Sequence, residues 1–268
     1  MKTILTDRDS SLLSYLWRWK LLSTAALTEA FFKERSPITA YVRLWHLKQA
    51  NFISLVLPSD GKAHYWCLAP KGFSAIQNAL PELAEAGFKS ENLEHDHLVT
   101  AVHLGEWLGQ SPAEAATFTE REVRRYNTDH YSAWAPTAID HRPDGYWHLP
   151  RAGKKITVAL EVEINRKRDR FYRQVAHFYD RHPQIDRIVW LIPTRNAASS
   201  IESLLRSEVN ERAAIHNFIT RSDFEKLGWQ ATIQLGAESG KPLSFLLDPS
   251  VQTSSKPVWT RFLLDTRK

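Results

Sequence analysis

Asp144, Glu161 and Glu163 are the residues whose types and spacing could do chemistry. Asp144 sits in the turn-like Pro143-Asp144-Gly145, and the two glutamates lie within Ala159-Leu160-Glu161-Val162-Glu163. The run from Ile156 to Ile164 reads as a β-strand. A strand repeats every two residues, so Glu161 and Glu163 are expected on one face. Charges are rarely buried unpaired, so carboxylates converging from neighbouring strands need a reason to meet. A divalent cation with oxygen ligands is such a reason, and it implies phosphodiester chemistry on a polyanion.

The charge distribution agrees. The chain has 268 residues and a net charge of +5. Residues 1–90 are net +4, residues 91–150 net −6, and residues 151–190 net +5. The acidic segment that carries Asp144 thus lies between two basic ones, which suits a nucleic acid held near a metal. Hydrophobic content of 43% and charged content of 24% are ordinary for a globular protein. Ten tryptophans are unusual: most fit core positions and some could stack on bases. A single cysteine, Cys67, excludes an internal disulfide and fits a reducing compartment. No apolar run is long enough for a membrane span, and the N-terminus lacks a signal-peptide core, so a cytoplasmic protein without membrane contact is expected.

The elements that position these residues fall into two groups. Residues 1–84 predict helices over 7–20, 25–32 and 37–49, capped by Thr6 or Asp7, by Ser23 or Thr24, and by Ser36 before Pro37. Strands over 52–57 and 63–68 follow, joined by the turn Pro58-Ser59-Asp60-Gly61-Lys62, and a helix begins at Pro70. Three helices, a hairpin and a helix make the order of a winged helix-turn-helix. In that fold the third helix enters the major groove and the hairpin touches the backbone. Thr39, Tyr41, Arg43 and His46 are the expected contacts on the third helix, with Lys62 and His64 on the wing. The alternative is a domain for dimerisation or docking, and a homodimer fits either reading.

Residues 91–250 predict a helix over 92–108 that contains Glu106. A strand over 115–126 follows, with Glu120 and Glu122 on alternate residues, then strands over 142–149 and 156–164 around a turn at 151–155. A helix over 168–181, a strand over 187–192, helices over 197–205 and 208–218, and strands over 230–235 and 243–247 come next. Residues 251–268 read as a tail rich in Ser, Thr and Pro. The whole is an α/β (α+β) chain of two domains.

The helix–strand–strand–strand–helix–strand order, with Pro143-Asp144 and Glu161-Val162-Glu163, resembles the restriction-endonuclease-like PD-(D/E)xK nucleases. Glu163 stands where that superfamily usually has lysine, although some active members carry Glu-x-Glu. A winged helix joined to Arg142-Pro143-Asp144-Gly145, to Glu161-Val162-Glu163-Ile164-Asn165-Arg166-Lys167 and to Thr119-Glu120-Arg121-Glu122-Val123-Arg124-Arg125 is similar to the replication-relaxation family. That likeness covers roughly residues 5–195.

The resemblance implies double-stranded DNA as partner, together with relaxosome, replication or other mobile-element proteins. It implies Mg²⁺ or Mn²⁺ held by Asp144 and Glu161, with Glu106 or Glu120 completing the set. Glu163 would orient or deprotonate water, and Lys167 would supply displaced positive charge. Gln174 would orient a ligand, and Arg166, Arg168, Arg170 and Arg173 would meet phosphates. Two functions remain open: a metal-dependent endonuclease, or a non-catalytic DNA-binding regulator or accessory protein on an inactive nuclease scaffold.

Overall fold

Thr6 starts the first helix by a reciprocal cap. Its hydroxyl accepts the Asp9 N–H at 3.3 Å, and the Asp9 carboxylate accepts the Thr6 N–H at 2.8 Å. The structure, a computed structural model, describes residues 4–57, 64–104, 116–137 and 140–246. Its fold is mixed α/β with two sheets, and it divides into two compact units. Among the described residues the first unit holds those up to 104 and 124–130, and the second holds 116–123 and 131–246.

In the first unit, α1 (Asp7–Trp19) buries Leu12, Leu13, Leu16 and Trp17. After β1 (Leu21–Leu22), Ser23 caps α2 (Thr24–Phe31), and Ser36 caps α3 (Pro37–Gln49), which opens on its proline. β2 (Ile53–Val56) and β3 (Tyr65–Leu68) pair antiparallel, and β1 takes the other edge of β3. The turn expected between them, Pro58 to Lys62, lies outside the described residues. α4 (Pro70–Ile76) packs against the start of this hairpin, where a Cβ on Gly72 would fall 2.0 Å from the Phe52 carbonyl oxygen. Only glycine allows that approach. α5 (Leu93–Leu104), expected to open the second domain, packs in this unit. Thr100 donates to the Trp19 carbonyl at 3.0 Å, and Lys20 meets Asp96 at 2.7 Å in a buried ion pair.

In the second unit, β4 (Ala116–Thr119) ends where α6 (Glu120–Arg125) begins. Glu120 therefore lies on a helix, not on the expected strand. The cause is local: the Glu122 carboxylate accepts the Thr119 N–H at 2.7 Å, and the Thr119 hydroxyl accepts the Glu122 N–H at 3.3 Å. β5 (Gly145–Arg151) and β6 (Lys154–Val162) form a hairpin through Ala152 and Gly153, both at positive φ, as a two-residue turn requires. α7 (Asp169–Asp180) then leads to β7 (Arg187–Ile192), parallel to β6. α8 (Arg195–Val209) leads to β8 (His216–Thr220), parallel to β7.

The sheet order is β4-β5-β6-β7-β8. The helix expected over 208–218 is absent: α8 ends at Val209, a 3₁₀ stretch follows, and the β-branched Ile219-Thr220 closes a buried strand. Thr220 caps α9 (Arg221–Leu227). Residues 230–235 and 243–246 form single bridges and a 3₁₀ turn rather than strands. Among the described residues no helix is long and apolar enough to cross a membrane.

Candidate functional site

The acidic residues gather where β5 begins and β6 ends. Asp144 precedes β5 directly. Its N–H donates to the Leu160 carbonyl at 2.9 Å, and its Oδ2 accepts the Val162 N–H at 2.6 Å. The turn is thus pinned along the last residues of β6. Glu161, on β6 opposite Trp190 of β7, is buried. Its Oε1 accepts from His141 Nε2 at 2.6 Å and from the Tyr179 hydroxyl on α7. Burial alone would lower the His141 pKa, but the Glu161 carboxylate, helped by Asp144, raises it above the usual histidine range. Burial and then Glu161 hold the Tyr179 phenol well above its ordinary value.

Glu163 continues the line of β6, with its N–H on the Leu191 carbonyl at 2.8 Å. Its side chain is 2% exposed. Lys167 Nζ stands 3.0 Å from Oε1 as an ion contact, and Oε2 has no hydrogen-bond partner among the described residues. Burial raises the carboxyl to about 7; Lys167 opposes this, and the charges of Glu161 and Asp144 add to it. The Lys167 ammonium also lies 4.0 Å from the Phe171 ring centroid, and its backbone N–H donates to the Tyr172 hydroxyl at 2.9 Å. A neutral-range acid, two further carboxylates and a cation therefore share one end of one sheet.

The expected convergence is looser than spacing suggested. Asp144, Glu161 and Glu163 do not bring one oxygen each within 4.8 Å of the others. The Glu161 carboxylate is turned to His141 and Tyr179, neither of which was expected at the site. Tyr179 is one of the buried residues of α7, but burial on a helix face does not reveal a hydroxyl aimed at a carboxylate.

The other expected residues scatter. Glu106 and Lys62 lie outside the described residues. Gln174 is exposed on α7, in a shallow depression with Asp140, His177, Asp180 and Arg181. Arg166 meets Asp169 at 2.6 Å, Arg173 meets Glu208 at 2.9 Å, and Arg168 and Arg170 are exposed. On α3, Thr39 and His46 face outward, and so do Tyr41 and Trp45, because Ala40, Leu44 and Leu47 take the inward positions. His64 is exposed. Arg43 does not point outward: it grips the buried Asp9 carboxylate through Nε at 2.9 Å and through Nη2. An inward, helix-to-helix ion pair removes it from the set of surface contacts.

Comparison of the chain with family models, with curated proteins and with solved structures finds no match.

Proposed function

We propose that the chain is a DNA-binding protein whose second unit carries a phosphodiesterase-type centre dependent on Mg²⁺ or Mn²⁺. The observation that carries this is Glu163: a buried carboxylate, raised to about 7, with one oxygen unpartnered beside Asp144 and Glu161. Most buried polar atoms have a hydrogen-bond partner, so an idle carboxylate oxygen at that depth calls for one. The donors are all oxygen, which suits a hard divalent cation, and Asp144 and Glu161 would hold it. Such an ion supplies polarisation of a phosphoryl oxygen and a more acidic bound water.

The protein's own groups have distinct tasks. Glu163 can take up a proton near neutral pH at Oε2. Lys167 offsets part of the negative charge from a position four residues past the usual one. Glu161 Oε1 is engaged by His141 and Tyr179, so Oε2 is the oxygen that Glu161 would offer a cation. The first unit supports the DNA-directed half of the reading. Its order of helix, strand, two helices and hairpin is that of a winged helix, and exposed Thr39, Tyr41 and His46 lie on the helix that would enter the groove. Replication or conjugative mobilisation of a plasmid or mobile element, in the cytoplasm and as a homodimer, is the setting that fits.

One observation favours a second reading. Glu161 Oε1 already accepts from both His141 and Tyr179, as it would in an inactive scaffold that only binds DNA. Supercoiled plasmid with Mg²⁺ or Mn²⁺ separates the two, with wild type set beside Asp144→Ala/Glu161→Ala. Nicking by wild type alone is expected. Equal DNA binding with no nicking by either protein would leave only the scaffold.

A further inference from the structure

The far end of the same sheet holds a different constellation. The register places Arg151 opposite Lys154, and Val158, four residues on from Lys154, opposite Arg187. Alternation along β6 then puts Arg151, Lys154 and Arg187 on one face. Glu161 is seven residues from Lys154, so it lies on the opposite face and roughly 23 Å along the strand. Above the basic face runs the segment 236–245. Its course is fixed by Gly236, at φ 107°, where a Cβ would fall 2.0 Å from the His216 carbonyl oxygen. The Glu238 N–H donates to Asn217 Oδ1 at 3.1 Å.

The Glu238 side chain, 8% exposed, is surrounded by cations: Lys241 at 2.8 Å, Arg187 at 3.3 Å and Arg151 at 3.7 Å. Burial works against ionisation here, but these cations hold its carboxyl below the usual range. Phe245 backs the cluster, with Lys241 at 3.9 Å and Arg151 at 4.9 Å from its ring centroid. Asp186, which precedes Arg187, is turned to the backbone and accepts the Thr157 N–H at 2.8 Å. Three cations around one carboxylate leave positive charge in excess, and the exposed Lys154 adds to it on the same face. A fully structural ion pair needs one cation; further ones repel each other unless an anion joins them.

We propose that this cluster is a second phosphate site, which takes consecutive phosphates of a nucleic-acid backbone while Glu238 holds the cations in place. The inference rests on the DNA-directed reading for its ligand but not on the acidic centre. The test measures binding of a short duplex and of inorganic polyphosphate against salt, for wild type, Lys154→Ala/Lys241→Ala and Glu238→Gln. Loss of two phosphate contacts should flatten the salt slope by about 2 and weaken low-salt binding about tenfold, with an unchanged thermal midpoint. Glu238→Gln should bind more tightly, a direction that misfolding does not produce. Polyphosphate bound through these lysines without duplex binding would keep the site and remove the DNA reading. Unchanged slopes for both ligands would overturn the site and leave the DNA reading standing, and a wild type that binds neither ligand would overturn both.

Discussion

Two carboxylate–cation pairs in this chain are built to opposite specifications. Asp9 is fully buried, and each of its oxygens has work: the Thr6 N–H, the Thr6 hydroxyl and the Arg43 guanidinium all reach it. Burial pushes its pKa up, yet these donors hold it below the ordinary aspartate value. Glu163 is as deeply placed but has one ion contact and an idle oxygen, and its pKa rises to about 7. The difference is in the donors, not the depth. A planar guanidinium joined to a helix cap satisfies a buried charge; a half-exposed ammonium on one side does not. The first pair ties α1 to α3, and the second leaves a carboxylate ready to exchange a proton or accept a cation.

The sharpest way to break this contrast is Arg43→Ala. It leaves Asp9 buried without its main partner and should cost about 3–5 kcal/mol by urea denaturation at neutral pH. A loss below about 1 kcal/mol would mean the pair is no tie at all. Next comes the pH dependence of Glu163. Its folded value lies above the unfolded 4.5, so folding takes up a proton, and stability falls as pH rises from about 4.5 through about 7. Glu163→Gln removes that fall, so the variant should gain on wild type by on the order of 3 kcal/mol between about pH 4 and pH 8. For Asp9 the sign is reversed: its lowered pKa gives stability that is present above the ordinary value and lost as pH drops through the folded one. A Glu163→Gln variant that tracked wild type at every pH would place Glu163 with Asp9. A third effect sharpens the functional side. Mg²⁺ at a hundredfold excess over its dissociation constant should stabilise wild type by about 2.7 kcal/mol near pH 8, and calorimetry should show no such gain for Asp144→Ala/Glu161→Ala.

The same contrast explains what could be read from the chain. Short-range signals were legible: Thr6 and Ser23, each one of two expected caps, and Ser36 cap their helices, and the β5–β6 turn falls within the expected 151–155. The strand over 115–126 was misread because Glu120 and Glu122 alternate, although Thr119-Glu120-Arg121-Glu122 is also a capping box. The grouping of Asp144, Glu161 and Glu163 at one end of the sheet followed from strand period and hairpin order. Their partners did not. His141 and Tyr179 meet Glu161 from 20 and 18 residues away, and Arg43 meets Asp9 from 34. Such contacts depend on how helices pack on the sheet and on each other, which no local spacing encodes. Arg43 looked outward because a helix wheel places it on the rim, where a long side chain can turn either way.

The smallest expected effect tests the contrast from the side of the cation. Lys167 is 48% exposed, so its attraction to Glu163 is shared with water. Lys167→Ala should therefore cost less than about 1 kcal/mol near pH 8, where Glu163 is ionised. Near pH 5 Glu163 is protonated in the folded state, the pair carries no charge attraction, and the substitution should be neutral. Without the ammonium, which now opposes the shift, the Glu163 pKa should climb further. Carboxyl titration followed by NMR in the two proteins reads that directly. A cost of several kcal/mol at both pH values would make Lys167 a tie of the Arg43 kind. A small, pH-dependent cost with a rising Glu163 pKa would show that its role is to set the proton affinity of the carboxylate rather than to hold the fold.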